Sequence, residues 1–515
     1  MIAFLSRPET YSSRPEKVER IDTHGAMVFL AGDMAVKIKK PVHFPYMDFS
    51  TLEKRHVAIA REYEINAPHA PRLYRKIVPI TRSHSGRLGL GGNGDVVEWA
   101  LLMRRFGQNR LLSAMADAGA LDREIMARLA KSVVRLHQEA TVNRRARFHE
   151  ALKTRVRHNE QACREYPDLF DPARVNILFS RCHTLLEQQA EMIRARVAQG
   201  HVRRCHGDLH LRNIVMLEDG PTPFDAIEFD EKIATTDILD DLAFLLMDLV
   251  ERKLQALANQ VLNTWLGAMN STAHYEALAL LPLYLSSRAG IRAKVMLPLM
   301  NQPGERKGKE ARKDAISYFE TAGALVAPSP PRLIGVGGLS GSGKTTLARL
   351  IAPFIGTAPG AVCLRSDVIR KRLMGVEETT RLPGSAYAPK ITQRVYELIL
   401  ERASAALAAG HSVVADAVHA RESERLALEN LARKRGVPFH GLWLDAPEDI
   451  LMQRVSARRG DASDADRNVV ARQLEHDVGR LDWPRIEAAQ NSQVLARKVL
   501  ERVIGIEPTT FSLGS

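Results

Sequence analysis

Cysteine is scarce: four residues in 515, at positions 163, 182, 205 and 363, with no Cys-x-x-Cys pair among them. That scarcity argues against a disulfide framework and against a zinc site built from local motifs. Long apolar runs are missing as well. The longest, such as "YEALALLPLYLSS", fall short of the roughly eighteen uncharged residues that a bilayer-crossing helix requires. The first residues, "MIAFLSRPETYSSRPEK", lack the basic-then-apolar order of a secretory signal, so the expected compartment is the cytoplasm, with no membrane partner. Aromatic side chains are only 6% of the chain and form no evident cluster of the kind that stacks on single-stranded nucleic acid. Internal repeats and low-complexity tracts are also absent.

What is present is an ordinary globular composition, 45% hydrophobic and 26% charged, in a chain long enough for roughly two to four domains. The formal charge of +13 raises the question of a nucleic-acid partner. The arginines, however, are spread through helical stretches such as "RLAKSVVRLH" and "LARKRG". Sites for phosphorylated ligands account for the excess as well, and a nucleic-acid partner ranks last.

The chain changes rhythm along its length. "GAMVFLAGDMAVKIKKPV" alternates around a Gly-Asp turn and predicts a hairpin. "FSTLEKRHVAIAREYEINA" has helical periodicity, with Ser50 as a cap and Glu53 three residues on. "RLYRKIVPITRS" and "DVVEWALLMRRF" read as strands, and residues 107–200 as helices. Helices resume from about Asp237 to Ala322. "VAPSPPRL" (Val326 to Leu333) holds three prolines and predicts a linker. Beyond it "LIGVGG", "AVCLRSD", "HSVVADA" and "FHGLWLDA" alternate with helical segments, the pattern of a parallel sheet with crossover helices. The expected organisation is a first domain over 1–325, a linker at 326–331 and a second domain over 332–515.

"GLSGSGKT", Gly338, Leu339, Ser340, Gly341, Ser342, Gly343, Lys344 and Thr345, fits G-x-x-x-x-G-K-[ST] between a strand and the helical "TTLARLIA", whose second residue, Thr346, is counted with the phosphate-binding loop. Glycines let backbone N–H groups turn toward phosphates, Lys344 reaches the outer ones, and Thr345 offers its hydroxyl to Mg²⁺. In "LRSDVIRKRL", Asp367 and Arg370 share one helix face, a base for an acceptor hydroxyl and a holder for an anionic acceptor. Asp416 ends the third strand, at a carboxyl edge. "QRVSARRGDASDAD" bunches Arg454, Arg458 and Arg459 as a phosphate-closing lid. These stretches resemble the small P-loop kinases of the gluconate kinase, zeta toxin and polynucleotide kinase group, over about Arg332 to Ile506. The resemblance implies Asp367 as base and Arg370 as substrate contact. Where many relatives carry Asp-Ala-Thr, this chain has "DAVH", which leaves His419 without a role.

A second phosphate-handling pattern lies upstream. In "HGDLHLRN", Asp208 can face an acceptor hydroxyl while Asn213, five residues on, reaches a metal; His206 and Gly207 shape the loop. "TPFDAIEFDE" supplies further metal-binding carboxylates and "DILDDLAFLL" a helix whose Asp241 can tie the loop down. A strand lysine should meet the phosphates and a helix glutamate: Lys37, or Lys39 on the same face, with Glu62, or Glu64. "WALLMRRF" would be the hinge facing adenine. This half resembles the aminoglycoside phosphotransferase and choline kinase superfamily, whose fold is that of protein kinases, over about residues 20 to 320. Aligning the family's magnesium Asp gives Glu228, within Ile227-Glu228-Phe229, with Asp225 and Asp230 as alternatives.

The expected fold is therefore an α+β protein-kinase-like domain followed by an α/β P-loop domain with a parallel sheet. The expected function is ATP- and Mg²⁺-dependent phosphotransfer to a hydroxyl of a small metabolite. A kinase-like sensor regulating the P-loop half is the rival reading, and a polynucleotide 5′-end kinase the third.

Overall fold

In the computed structural model, which describes residues 1–505 apart from 24, 45–46, 302–304, 458–460, 476, 490 and 504, the alternating stretch at the N-terminus forms the expected hairpin. β1 (Val18–Asp22), β2 (Ala26–Ala31) and β3 (Met34–Lys39) run antiparallel, with Gly32 at φ +60° in the turn. β4 (Tyr74–Arg82), β5 (Leu88–Leu90) and β6 (Asp95–Arg104) complete a six-stranded antiparallel sheet in the order β1-β2-β3-β6-β4-β5. Phe29, Val36, Ile38 and Ile80 fill one face; Leu30, Ala35 and Leu101 fill the other, packed with Ile59 of helix α1 (Leu52–Asn66). Thr51, not Ser50, caps α1: its hydroxyl accepts from the Lys54 N–H, while Ser50 bonds Asp48. The two are adjacent, and Thr51 has the extended backbone of a cap with its oxygen over the third helical N–H.

The chain divides into two compact units, Met1–Leu152 with Ile193–Leu245, and Lys153–Met192 with Leu246–Ser515. The division does not fall at the proline-rich segment. In the first unit the sheet is joined by helix α2 (Arg123–Glu139), a hairpin of β7 (Ile214–Leu217) with β8 (Gly220–Pro223), and the start of helix α3 (Ile238–Glu251).

The second unit holds helix α4 (Gln255–Met269), further helices at Leu281–Met296 and Glu305–Leu325, and the P-loop fold. There β9 (Leu333–Gly338), β10 (Val362–Arg365), β11 (Val413–Asp416), β12 (Phe439–Asp445) and β13 (Arg485–Glu487) form a wholly parallel sheet ordered β10-β11-β9-β12-β13. The fifth strand, at Arg485–Glu487, carries no apolar run in the sequence. Its central position is covered on one side by the core of Ile334, Val336, Val414, Leu442 and Leu444, which includes Ile486 at its margin. No helix of the described residues is long and apolar enough to cross a membrane.

Candidate active sites

The first site starts from the period of two in β3. Lys37 and Lys39 leave the strand on the face of Ala35, the side that α1 covers. Glu62, fully buried on α1, meets both: Lys37 Nζ lies 2.7 Å from Oε1 and Lys39 Nζ 2.7 Å from Oε2. The two lysines, alternatives in the sequence, are thus partners of one carboxylate. Glu64 points to the surface and pairs with Arg61. Each lysine also takes a carboxylate from the stretch after β8: Asp225 Oδ1 lies 2.6 Å from Lys37, and Glu228 bonds Lys39. Burial opposes the charge on Lys37, but Asp225 and Glu62 outweigh it and hold its pKa well above the usual lysine value. For Asp225, likewise, burial favours the neutral acid, yet Lys37 keeps it below the usual aspartate range. Burial raises Glu228 in spite of Lys39.

Accessibility separates the two carboxylates. The Asp225 side chain is 42% exposed, that of Glu228 8%. Asp225 sits at φ +61°, held there by its N–H to the Tyr74 hydroxyl (3.1 Å), and the next N–H, of Ala226, bonds Asn66 Oδ1 (2.9 Å). Asp230 is taken up as the cap of the short helix Glu231–Ala234.

The "HGDLHLRN" loop is fixed from below. Gly207, at φ +82°, gives its N–H to Asp241 Oδ1 at 2.8 Å, and Asp241 Oδ2 lies 3.1 Å from His137 Nε2 on α2. A Cβ at Gly207 would come within 3.1 Å of Ile227 Cδ1, so the residue is set by both conformation and space. His206 Nε2 bonds the Phe224 carbonyl (2.9 Å), and burial lowers the pKa of that ring. Asn213 donates to the Asp208 carboxylate (2.8 Å) and carbonyl (3.0 Å); His210 Nε2 is 3.3 Å from the same carboxylate. His210, Tyr74 and Asn66 had no role in the sequence reading. Only His210 left a signal there, by standing two residues after Asp208 inside the motif. His137, Cys205 and Asp241 form a buried group of potential metal ligands, in which Asp241 Oδ1 already accepts the Gly207 N–H and Oδ2 lies against His137.

The second site is the strand-loop-helix of the P-loop. Gly338, Gly341 and Gly343 adopt φ of +133°, +88° and +95°. A Cβ at Gly341 would stand 2.7 Å from the Leu451 carbonyl oxygen, and one at Gly338 2.4 Å from that of Leu444. Gly343 caps helix α5 (Lys344–Ile351), which contains Lys344, Thr345 and Thr346. Lys344 Nζ folds onto the Leu339 carbonyl (2.9 Å), and the Ser340 N–H is held by Gln473 (2.8 Å). The Thr345 hydroxyl donates to Asp416 Oδ2 at 2.6 Å. Arg365, at the end of β10, lies 3.5 Å from Asp416 and 2.9 Å from Asp461.

Asp367 stands in the first turn of helix α6 (Ser366–Leu373) among these charges. Burial raises its pKa, with Asp416 adding to the effect against Arg365, Ser463 and Lys344. Arg370 is buried: it donates to the Ala386 carbonyl (2.8 Å) and Thr392 (3.2 Å) and lies over the Tyr387 ring. Arg454 donates to the Ala488 carbonyl (2.8 Å) and reaches within 3.8 Å of a Cβ built on Gly343. Arg458 and Arg459 lie outside the described residues. The acidic half of that segment is anchored instead: Asp464 accepts from Lys371 (2.6 Å) and Tyr387 (2.8 Å). His419 is an aromatic spacer, packed between Tyr396 and Trp483 with its pKa pushed down to about 3 by burial.

With these geometries in place, the comparisons with known proteins fall into line. Residues 49–281 match the model of the phosphotransferase enzyme family, and residues 333–477 match that of the AAA domain. The chain joins a phosphotransferase-family domain to a P-loop kinase-like domain, and it is an enzyme of the kinase class. Among individual proteins, it is 29% identical over 475 residues to an uncharacterized protein of Mycobacterium tuberculosis, spanning 90% of this chain and 91% of that one. It is 28% identical over 145 residues to the adenylyl-sulfate kinase of Myxococcus xanthus, which spans 28% of this chain and 71% of that enzyme. The solved structure of choline kinase from Cryptosporidium parvum is 11% identical, covers 61% of this chain and 92% of its own, and has a TM-score of 0.37.

Proposed function

We propose that the protein carries two ATP-dependent phosphotransfer sites, and that the P-loop site moves the γ-phosphoryl of ATP to a hydroxyl of a small metabolite. The observation that carries this reading is the convergence of Lys344, the Thr345–Asp416 hydrogen bond of 2.6 Å and Asp367 at one sheet edge. The loop's inward N–H groups and Lys344 bind the β- and γ-phosphates, after Lys344 releases the Leu339 carbonyl. Asp367 takes the acceptor's proton as the oxygen attacks in line, and Arg454, close to Gly343, neutralises charge on the transferring group. An all-oxygen donor set of Thr345 and Asp416 suits Mg²⁺, which when bound offsets the phosphate charge.

In the phosphotransferase-family site, Asp208 is the base, oriented by Asn213 and His210, and Lys37 meets the phosphates. We assign the metal-facing carboxylate to Asp225, 42% exposed beside Lys37, with Asn213; Glu228, 8% exposed, is the partner that fixes Lys39. The relative acting on adenylyl sulfate supports an acceptor that is itself anionic for the P-loop half.

The test is turnover by the full chain with Mg-ATP and a panel of hydroxylated metabolites, repeated with Lys344→Ala and Asp208→Asn separately. Each substitution should remove phosphorylation of one acceptor by at least about 100-fold and spare the other. If Lys344→Ala leaves every activity intact, the P-loop assignment is wrong. If Asp208→Asn changes none, the first domain is a sensor.

A further inference from the structure

The parallel sheet of the P-loop fold has β10 at one edge, and β10 leads straight into Arg365 and Asp367. An edge strand leaves every second backbone N–H and C=O without a sheet partner. Here the partner comes from α4, a helix inside the segment matched by the phosphotransferase family. Asn263 Oδ1 accepts the Cys363 N–H at 2.7 Å, and Asn263 Nδ2 donates to the Ala361 carbonyl at 3.2 Å. In a parallel ladder, one residue of the neighbouring strand bonds the C=O before and the N–H after its opposite number. The carboxamide of Asn263 reproduces that pattern around Val362, in place of a sixth strand.

The contact is built up around this pair. Asn259, 4% exposed, donates to the same Ala361 carbonyl (2.9 Å), and its own carbonyl oxygens receive the Asn263 amide (3.0 and 3.1 Å). Gln255, one turn earlier, donates to the Pro353 carbonyl (2.7 Å). One turn after Asn263, Gly267 brings the helix against Val368: a Cβ there would stand 3.8 Å from Val368 Cγ1. Val368 is the residue next to Asp367. Buried groups of the P-loop fold reach the following turns as well: His411 lies 3.1 Å from the Leu278 carbonyl, and Arg402 bonds Asn270 (2.6 Å).

We propose that Asn263, supported by Asn259, is a positioning residue of the P-loop kinase, fixing from α4 the edge strand that aims Asp367 at the acceptor. The acceptor half of the site is then set by a helix outside the P-loop domain, whereas the nucleotide half, on β9 and α5, is not. This inference rests on the assignment of Asp367 as base.

The experiment uses the full chain carrying Asp208→Asn, so that turnover comes from the P-loop site alone, with Mg-ATP as the probe and water as the acceptor. Three quantities are read for Asn263→Ala, Asn263→Asp and Asp367→Asn: the affinity for a fluorescent ATP analogue, the rate of ADP release at saturating ATP, and amide exchange in peptides covering 338–346 and 361–368. Asn263→Ala should leave nucleotide affinity within about twofold and speed exchange in 361–368 roughly tenfold, the factor equivalent to one buried hydrogen bond. Exchange in 338–346 should not change, and turnover should fall about tenfold with the KM for ATP unmoved. Asn263→Asp keeps the acceptor for the Cys363 N–H, so exchange of that amide and turnover should recover. It also remains readable if the alanine variant does not fold. Normal turnover and exchange in both Asn263 variants would overturn the proposal, as would equal loosening of 338–346. Turnover that survives Asp367→Asn refutes the base assignment instead, which the exchange data do not touch.

Discussion

Asp367 is where local chemistry works against stability. A carboxyl whose pKa is raised by burial and by Asp416 is easier to keep neutral than charged in the folded chain. The sign follows from linkage: a raised folded-state pKa contributes stability below the unfolded value, and that contribution is lost as pH rises through the folded one. At neutral pH the charged Asp367 therefore destabilises the ligand-free protein. Asp367→Asn should raise the melting temperature measured without nucleotide at pH 7, and the difference should shrink toward pH 4. The same substitution should lower phosphotransfer by about 10²–10⁴-fold. In the parent protein, kcat/KM should rise with pH through a midpoint above the ordinary aspartate value of 3.8. A variant less stable than the parent at neutral pH would show that Asp367 is a structural ion-pair partner. The place of Asp367 at a strand end was legible because an apolar run followed by Asp-x-x-Arg is a local pattern. The burial of Arg370 against Ala386 and Tyr387 was not, since its partners lie 16 or more residues away.

At the scale of elements, the period of β3 does more than the sequence reading expected of it. A strand that places Lys37 on the α1 face must place Lys39 there too, and one buried glutamate cannot leave a second ammonium unpaired without a large desolvation penalty. The result is a row of alternating charges, Asp225–Lys37–Glu62–Lys39–Glu228, in which the outer carboxylates differ in exposure. Asp225→Asn should abolish Asp208-dependent turnover and, because Lys37 holds the Asp225 pKa low, also lower stability at neutral pH. Glu228→Gln, at a carboxyl whose pKa burial raises, should keep turnover within a few-fold and not lower that stability. Chemical denaturation and steady-state kinetics on the two variants decide it; the opposite pattern would return the metal role to Glu228. The motif context Ile-Glu-Phe favours Glu228 because alignment weighs neighbours in sequence, whereas the proposed assignment to Asp225 weighs exposure. What separates the carboxylates is the positive φ at Asp225, set by Tyr74 and Asn66, which are more than 150 residues away in sequence.

At the scale of the molecule, the existence of two kinase folds was readable from motifs, while the way the chain is partitioned was not. Three prolines after Val326 mark a change of rhythm, and a linker was the natural reading. Yet the compact unit that contains the P-loop fold also takes in helices from Leu246 onward. The reason is physical. A five-stranded sheet with an unsealed edge needs a cover, and the cover is a row of side-chain amides at Gln255, Asn259 and Asn263. Polar residues at a spacing of four on a helix look, in sequence, like a solvated face. Only the burial of Asn259 and its bonds to a distant backbone identify it as an internal surface. The peptide link at 326–331 is then dispensable for holding these parts together. A protease site introduced between Pro328 and Ser329 should be cut without separating the products: residues before and after it should co-elute on size exclusion. In the cut protein Mg-ATP should raise the melting temperature less with Lys344→Ala than with the parent lysine, since ligand binding stabilises whatever unfolds with its site. Fragments that elute apart after the cut would mean that the amide row is a contact of convenience and that the P-loop domain closes its sheet alone.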